Sequence, residues 1–294
     1  PAFQTAIRAG WSDAEHPLRD PDLEILRDDP RFMVAVAMAK ASASKDGPEA
    51  FERHWVTFPT MGTYIAVLPP DYAEDEDKTY PLVVILHGNG SSELGHGRVA
   101  DRVGREGVIF VVPRAPHPHS GVFAMMRKPG WTWQPEDADN QAVDEQGGVQ
   151  LYVNSVLAAV KDARKRYRTQ PGPFHVLGHS MGGFFANTVA ALHPDQVKTY
   201  FAYAGGVPEE LRDQGLLEGI GKAGVKAWIV HGANDPVVPP QASKDAKKHL
   251  EAAGVDVTFH MVDGVDHGIA DRVADLIRGW LDAQVRPSTV PTSR

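Results

Sequence analysis

From about residue 53 the chain alternates short apolar runs with longer segments whose apolar positions recur at helical spacing. His54–Phe58 and Tyr64–Leu68 read as two early strands. Leu82–Leu86 and Val108–Val112 are unbroken apolar runs rich in Val and Ile, as expected of strands covered on both faces by helices. Residues 93–106 suit a helix between them. From Gly148 to Tyr167, Val149, Val153, Val156, Val160 and Tyr167 form one stripe of an amphipathic helix, and its basic end, Lys161 to Arg168, complements the helix dipole. Strand 174–177, helix 181–193, strands 197–203 and 225–230, helix 240–253, strand 255–261 and helix 268–282 continue the order. Strands joined by helices of this length are βαβ units, so the expected class is α/β with a mostly parallel sheet and helices on both faces.

Three stretches break the alternation. Pro113 to about Gln146 carries five prolines and no clear period, which predicts a long irregular excursion. Phe123, Met125, Met126, Trp131 and Trp133 lie in it, placed either to wall an acyl or aromatic pocket or simply to pack. Residues 1–50 form a helical extension, with a helix from Asp22 to about Lys40 interrupted near Pro30 and apolar at Met33, Val34, Val36 and Met38. Core packing is the simplest role for it, with a lid or an oligomer contact as the alternatives. One large domain is expected over 51–284, followed by a loose tail over 285–294 with Pro287 and Pro291. The acidic stretch Asp71–Lys78 reads as a solvated loop.

Composition narrows the chemistry. A length of 294 residues suits one large domain, and no apolar run reaches the length needed to span a bilayer. Thirty basic against 38 acidic residues give a formal charge of −8, which argues against a nucleic-acid partner. There is no cysteine, so disulfides, thiolate catalysis and cysteine-based metal sites are excluded. Residues 1–20 contain no continuous apolar core, so no signal peptide is read there and a cytoplasmic location is the default. No oligomeric state is implied.

The most informative segment is Gly178-His179-Ser180-Met181-Gly182, between a strand and a helix. It is a nucleophile elbow, in which a sharp turn projects the Ser180 hydroxyl and the flanking glycines let strand and helix pass closely. A serine needs a base in hydrogen-bond reach and a carboxylate to orient that base. Asp235 follows strand 225–230 and His267 follows strand 255–261, both at the sheet edge where open α/β sheets bind ligands. Asp263 and Asp266 are the alternative supports for His267. The oxyanion of an acyl-transfer intermediate needs two preorganised N–H donors. Met181 should supply one, and Asn89, in the glycine-bearing loop His87–Ser92, the other, with Gly90 as the alternative. His117 and His119 invite a metal reading, but no third ligand accompanies them, so no metal is expected.

His87-Gly88-Asn89-Gly90, Gly178-His179-Ser180-Met181-Gly182-Gly183, His231-Gly232-Ala233-Asn234-Asp235-Pro236-Val237-Val238-Pro239 and Asp266-His267-Gly268 resemble the phospholipase/carboxylesterase group of α/β-hydrolases over residues 55–282. Dienelactone-hydrolase-like and polyester-depolymerase-like esterases are also similar, although dienelactone hydrolases use a cysteine nucleophile that this chain lacks. The resemblance implies an eight-stranded sheet, an acyl-serine intermediate, a small-molecule ester substrate and no cofactor. A thioesterase, a polyester depolymerase or a peptidase would use the same triad. A non-catalytic binding protein on the same scaffold is the rival from another class.

Overall fold

The structure, a computed structural model, describes residues 18, 23, 26–27, 29–43, 61–119, 130–133 and 148–286. The chain divides into two compact units, Pro1–Phe58 and Pro59–Arg294, whose boundary falls eight residues beyond the expected 50/51 division. In the first unit, α1 spans Pro30–Ala43. Pro30 opens this helix instead of interrupting it, because its fixed φ suits a first turn and Asp29 Oδ1 caps it by accepting the Arg31 N–H at 2.8 Å. Among its described side chains Phe32, Ala35 and Val36 are buried, while Met33 and Val34 are exposed; the side chain of Met38 lies outside the described residues.

The second unit contains β1 (Tyr64–Val67), β2 (Leu82–Leu86), α2 (Glu93–Val103), β3 (Ile109–Pro113), β4 (His117–His119), β5 (Gly130–Thr132) and α3 (Gly148–Arg166). It continues with β6 (Phe174–His179), α4 (Met181–Leu192), β7 (Val197–Tyr203), α5 (Glu209–Asp213), α6 (Leu217–Lys222), β8 (Lys226–Gly232), α7 (Gln241–Ala252), β9 (Asp256–Val262) and α8 (Asp271–Trp280). Among the described residues the main sheet has seven strands in the order β1-β3-β2-β6-β7-β8-β9, where eight were expected. The expected strand His54–Phe58 lies outside the described residues. β1 is antiparallel to β3, and every other pairing is parallel.

Successive strand residues face opposite sides of a sheet, and the two cores follow that alternation. Val83, Ile85, Phe110 and Val112 pack with Ala100 and Val103 of α2 and with Val273, Ile277 and Trp280 of α8. Leu82, Val84, Leu86, Ile109 and Val111 face α3, α4, α6 and α7 on the other side, meeting Val153, Val156, Val189, Ile220 and Leu250. β2 and β3, covered on both faces, are therefore apolar throughout.

Two expectations need correction. The excursion after Pro113 is not wholly irregular, since β4 and β5 pair antiparallel with Pro118 opposite Trp131. A two-stranded sheet has only edge strands, where a missing proline N–H costs no ladder bond. The first two residues of the expected loose tail, Val285 and Arg286, are instead packed, and 287–294 lie outside the described residues. α8 runs on through a π turn, Leu281–Val285, that buries Val285, and Arg286 Nε donates to the Glu106 carbonyl at 2.9 Å. The periodicity predicts neither α5 nor α6, because each is barely longer than a turn and two glycines interrupt α6.

Candidate active site

Ser180 joins β6 to α4 with φ 56° and ψ −125°, a conformation that a side chain rarely adopts. Its N–H donates to the Tyr203 carbonyl at 2.9 Å, and its own carbonyl accepts the Gly183 N–H at 2.7 Å. The glycines of the elbow are steric necessities. A Cβ on Gly178 would overlap the Gly182 carbonyl, and one on Gly182 would overlap the Leu86 carbonyl of the neighbouring strand. Backbones of β2, β6 and α4 thus touch directly beneath the serine.

Three residues remote in sequence meet there. Ser180 Oγ lies 2.9 Å from His267 Nε2, and His267 Nδ1 lies 2.7 Å from Asp235 Oδ2. The other carboxylate oxygen, Asp235 Oδ1, accepts the N–H groups of Val237 at 2.8 Å and Val238 at 2.9 Å. Burial pushes the Asp235 pKa up, but the hydrogen bonds from His267, Val238 and Val237 outweigh it and hold the carboxyl below its ordinary range. With Asp235 ionised, His267 Nδ1 is the protonated ring nitrogen and Nε2 faces the serine as acceptor. Asp266 does not share this role. Its Oδ1 accepts the Gly268 N–H within its own loop at 2.8 Å.

The loop after β2 borders the site, with Asn89 lining the same cavity as Ser180. His87 donates from Nδ1 to the Gly88 carbonyl at 2.9 Å and accepts the Ala115 N–H on Nε2 at 3.1 Å, and burial lowers its pKa. Gly90, the alternative oxyanion donor, gives its N–H to the Trp131 carbonyl at 3.0 Å, while the Trp131 N–H donates to the Ser91 carbonyl at 2.8 Å. That pairing needs Gly130, where a Cβ would fall 2.5 Å from the Gly90 oxygen. Asn89 and Met181 both line a cavity of about 430 Å³ together with Ser180, Trp133, Phe185 and Val238. Met181 is the first residue of α4, so its N–H has no acceptor within the helix.

Trp131 and Trp133 separate in role. Trp133 is fully buried in the cavity wall, stacks on Phe185 at 5.0 Å and donates its indole N–H to the His87 carbonyl at 2.8 Å. Trp131 does not line the cavity. Its ring lies beneath the Arg114 guanidinium, 4.7 Å from ring centre, and Arg114 is itself paired with the buried Glu93. Trp133 sits one residue past the end of β5, where strand alternation no longer sets both indoles on one side. Phe123, Met125 and Met126 lie outside the described residues. His117 packs edge-on against Tyr152 at 5.0 Å.

Three polar residues around the triad carry roles that the sequence pattern does not predict. His231 Nε2 faces two acceptors, the Val238 carbonyl at 3.0 Å and Asp235 Oδ2 at 3.3 Å. His179 Nε2 approaches the His267 carbonyl at 2.9 Å. The Tyr203 hydroxyl is shared between the carbonyls of Asp266 at 2.7 Å and Gly268 at 2.9 Å. The available signal was a polar side chain at the C-terminal end of a buried strand, the position of all three.

A family model described as Phospholipase/Carboxylesterase matches residues 71–284. The chain belongs to that family. This family member is an ester hydrolase of the α/β-hydrolase fold. It is similar to esterase PE8, at 22% identity over 77% of this chain and 100% of that one, with a TM-score of 0.59. It also resembles the Bacillus cereus carboxylesterase, at 19% identity over 76% of this chain and 94% of that one, TM-score 0.57. Acyl-protein thioesterase 2 of Zea mays is similar at 18% identity, covering 76% of this chain and 99% of that one, TM-score 0.55. At these identities the likeness is one of fold. No curated protein sequence matches the chain. Among the described residues of this esterase, no helix is long and apolar enough to cross a membrane.

Proposed function

We propose that the protein is a serine carboxylesterase that hydrolyses small-molecule carboxylic esters through an acyl-serine intermediate. The observation that carries this reading is the unbroken run from Ser180 Oγ to His267 at 2.9 Å and from His267 to Asp235 at 2.7 Å, opening on a largely apolar cavity. Ser180 Oγ attacks the ester carbonyl and passes its proton to His267 Nε2. Asp235 holds the Nδ1–H tautomer and stabilises the imidazolium that forms. The N–H groups of Asn89 and Met181 receive the developing oxyanion. Collapse expels the alcohol, which takes the proton from His267, and water then repeats the steps on the acyl-serine. No step requires a cofactor.

A thioester reading uses the same residues and is favoured by the likeness to the maize acyl-protein thioesterase. The two part on substrate. The test is a panel of p-nitrophenyl esters of rising chain length beside acyl thioesters, with fluorophosphonate labelling of Ser180. Labelling with ester turnover supports the carboxylesterase, and turnover of thioesters alone transfers the activity. No labelling of the folded protein would return it to a binding role.

A further inference from the structure

Three histidines, His87 and His96 buried and His179 half-buried, stand in file beside the Ser180–His267 pair. Ring centres are 6.0 Å apart for His87 and His96, 5.4 Å for His96 and His179, and 5.1 Å for His179 and His267. The last two links of this file form hydrogen bonds whose direction can be derived. His179 Nε2 lies 2.9 Å from the His267 carbonyl oxygen, which only accepts, so Nε2 carries the hydrogen. In a neutral imidazole the other nitrogen must accept, so His179 Nδ1 takes the His96 Nε2–H at 3.1 Å. His96 Nδ1 is then an acceptor in turn, and the Ser91 hydroxyl, 3.0 Å away, donates to it. Burial, the largest influence on both rings, keeps them neutral, with His179 pushed down to about 4 and His96 well below its ordinary value.

This chain runs one way, from Ser91 through His96 and His179 to the backbone of His267. Ser91 sits two residues after Asn89, in the loop that borders the site. At its far end it joins a second fixture, because the Tyr203 hydroxyl holds the carbonyls of Asp266 and Gly268 while the His179 ring stacks on Tyr203 at 5.4 Å. Three consecutive carbonyls of the loop bearing His267 are thus held by side chains at the ends of β6 and β7. We propose that His96 and His179 are positioning residues, a directional hydrogen-bond chain that locks the loop bearing the base to the loop bearing Asn89. The inference rests on His267 acting as the base.

The decisive variants are His179→Gln, whose amide can still donate to the His267 carbonyl, and His179→Leu, which fills the stacked slot but donates nothing. Expected for His179→Leu is a fall in kcat of about tenfold to a hundredfold, the scale of a misplaced catalytic group, with KM within about twofold. His179→Gln should recover most of that loss, and His96→Leu should fall between the two. Equal turnover in the Gln and Leu variants, or a better Leu variant, would reduce His179 to packing and overturn the proposal. His267→Ala and Ser180→Ala are measured alongside. If either keeps wild-type turnover, the assignment of base or nucleophile has failed, whatever the His179 pair shows. Nitrogen-15 spectra of the imidazoles in the intact protein decide the matter independently of any variant's folding. His96 and His179 should both appear as Nε2–H tautomers with slowly exchanging protons, and an Nδ1–H tautomer on His179 would break the chain.

Discussion

His231 and Asp235 touch through one oxygen: His231 Nε2 lies 3.3 Å from Asp235 Oδ2, the same atom that His267 Nδ1 meets at 2.7 Å. Both side chains in the His231–Asp235 pair are completely buried. His231 is held from behind by Ser243 Oγ, 2.6 Å from its Nδ1, and burial keeps its pKa below the ordinary value. A neutral ring with its hydrogen on Nε2 gives the carboxylate a second imidazole donor without adding a charge.

Removing that donor should weaken the orientation of Asp235. Hydrogen bonds to charged groups are worth about 1.5–3 kcal/mol, and the 3.3 Å length puts this one at the low end, so His231→Leu should lower kcat by roughly tenfold. Steady-state kinetics with a short-chain ester measures it. Unchanged turnover would mean that the backbone N–H groups of Val237 and Val238 suffice.

Asp235→Asn should be far more damaging, with kcat falling about 10⁴-fold, because an amide favours the wrong imidazole tautomer. Asp263→Asn and Asp266→Asn should stay within a small factor of wild type, since Asp266 is engaged with its own loop and the Asp263 carbonyl, not its carboxylate, receives Arg272. The ranking of the three variants is the readout, and a larger loss at either alternative would reassign the acid.

The strained elbow offers a test of stability separate from activity. Ser180→Ala and Ser180→Gly should both abolish turnover, by about 10³-fold or more. Ser180→Gly should nevertheless be the more stable of the two by about 1 kcal/mol, because relief at φ 56° outweighs the extra unfolded-state entropy of glycine. Chemical denaturation of the two inactive proteins compares them directly. A glycine variant less stable than the alanine one would show that the turn stores no strain.

Trp133 and Trp131 should now behave differently. Trp133 walls the cavity, so Trp133→Phe should reorder a chain-length series of esters by about 1–3 kcal/mol. Trp131→Ala should leave the ranking of esters unchanged, because its backbone hydrogen bonds to the loop bearing Asn89 survive in alanine and its ring lies against Arg114 and not in the cavity. A shifted chain-length profile in Trp131→Ala would put its ring back in the pocket.

Acid should cost this fold stability through two of its histidines. His175 and His179 are both pushed from the ordinary 6.5 down to about 4, chiefly by burial, so between these values the unfolded chain binds protons that the folded one refuses. Stability is therefore full above about pH 6.5 and falls as pH drops toward 4, by on the order of 3 kcal/mol for His179 alone. Urea midpoints at pH 7 and pH 5 measure the slope. His179→Gln should flatten it, and an identical slope in that variant would sink the assignment.

The parts legible in the sequence are those governed by local rules. Leu82–Leu86 declared a doubly covered strand by composition, and Gly178 and Gly182 marked the elbow by a spacing that backbone overlap explains. Asp235 and His267 could be placed at strand ends because parallel strands all end at the same edge. What stayed hidden depends on tertiary pairing. Nothing local says that the Gly90 N–H is taken by Trp131 or that a histidine beside the nucleophile reaches the backbone of His267. The different surroundings of Trp131 and Trp133 likewise arise from where β5 stops, which no periodicity records.

The strand order has a kinetic consequence. Among the described residues β6 is the fourth of seven strands, with three on either side, so the nucleophile is mounted where opening of that sheet from either side arrives last. β3, from which the chain departs toward β4, β5 and Trp133, is only the second strand from one side of the described sheet. Amides beneath Ser180 should accordingly exchange only through global unfolding, while those near Trp133 are released by partial opening at that side. Substrate selection can thus drift with little cost to the sheet, whereas the bond-making serine shares its fate with the whole domain.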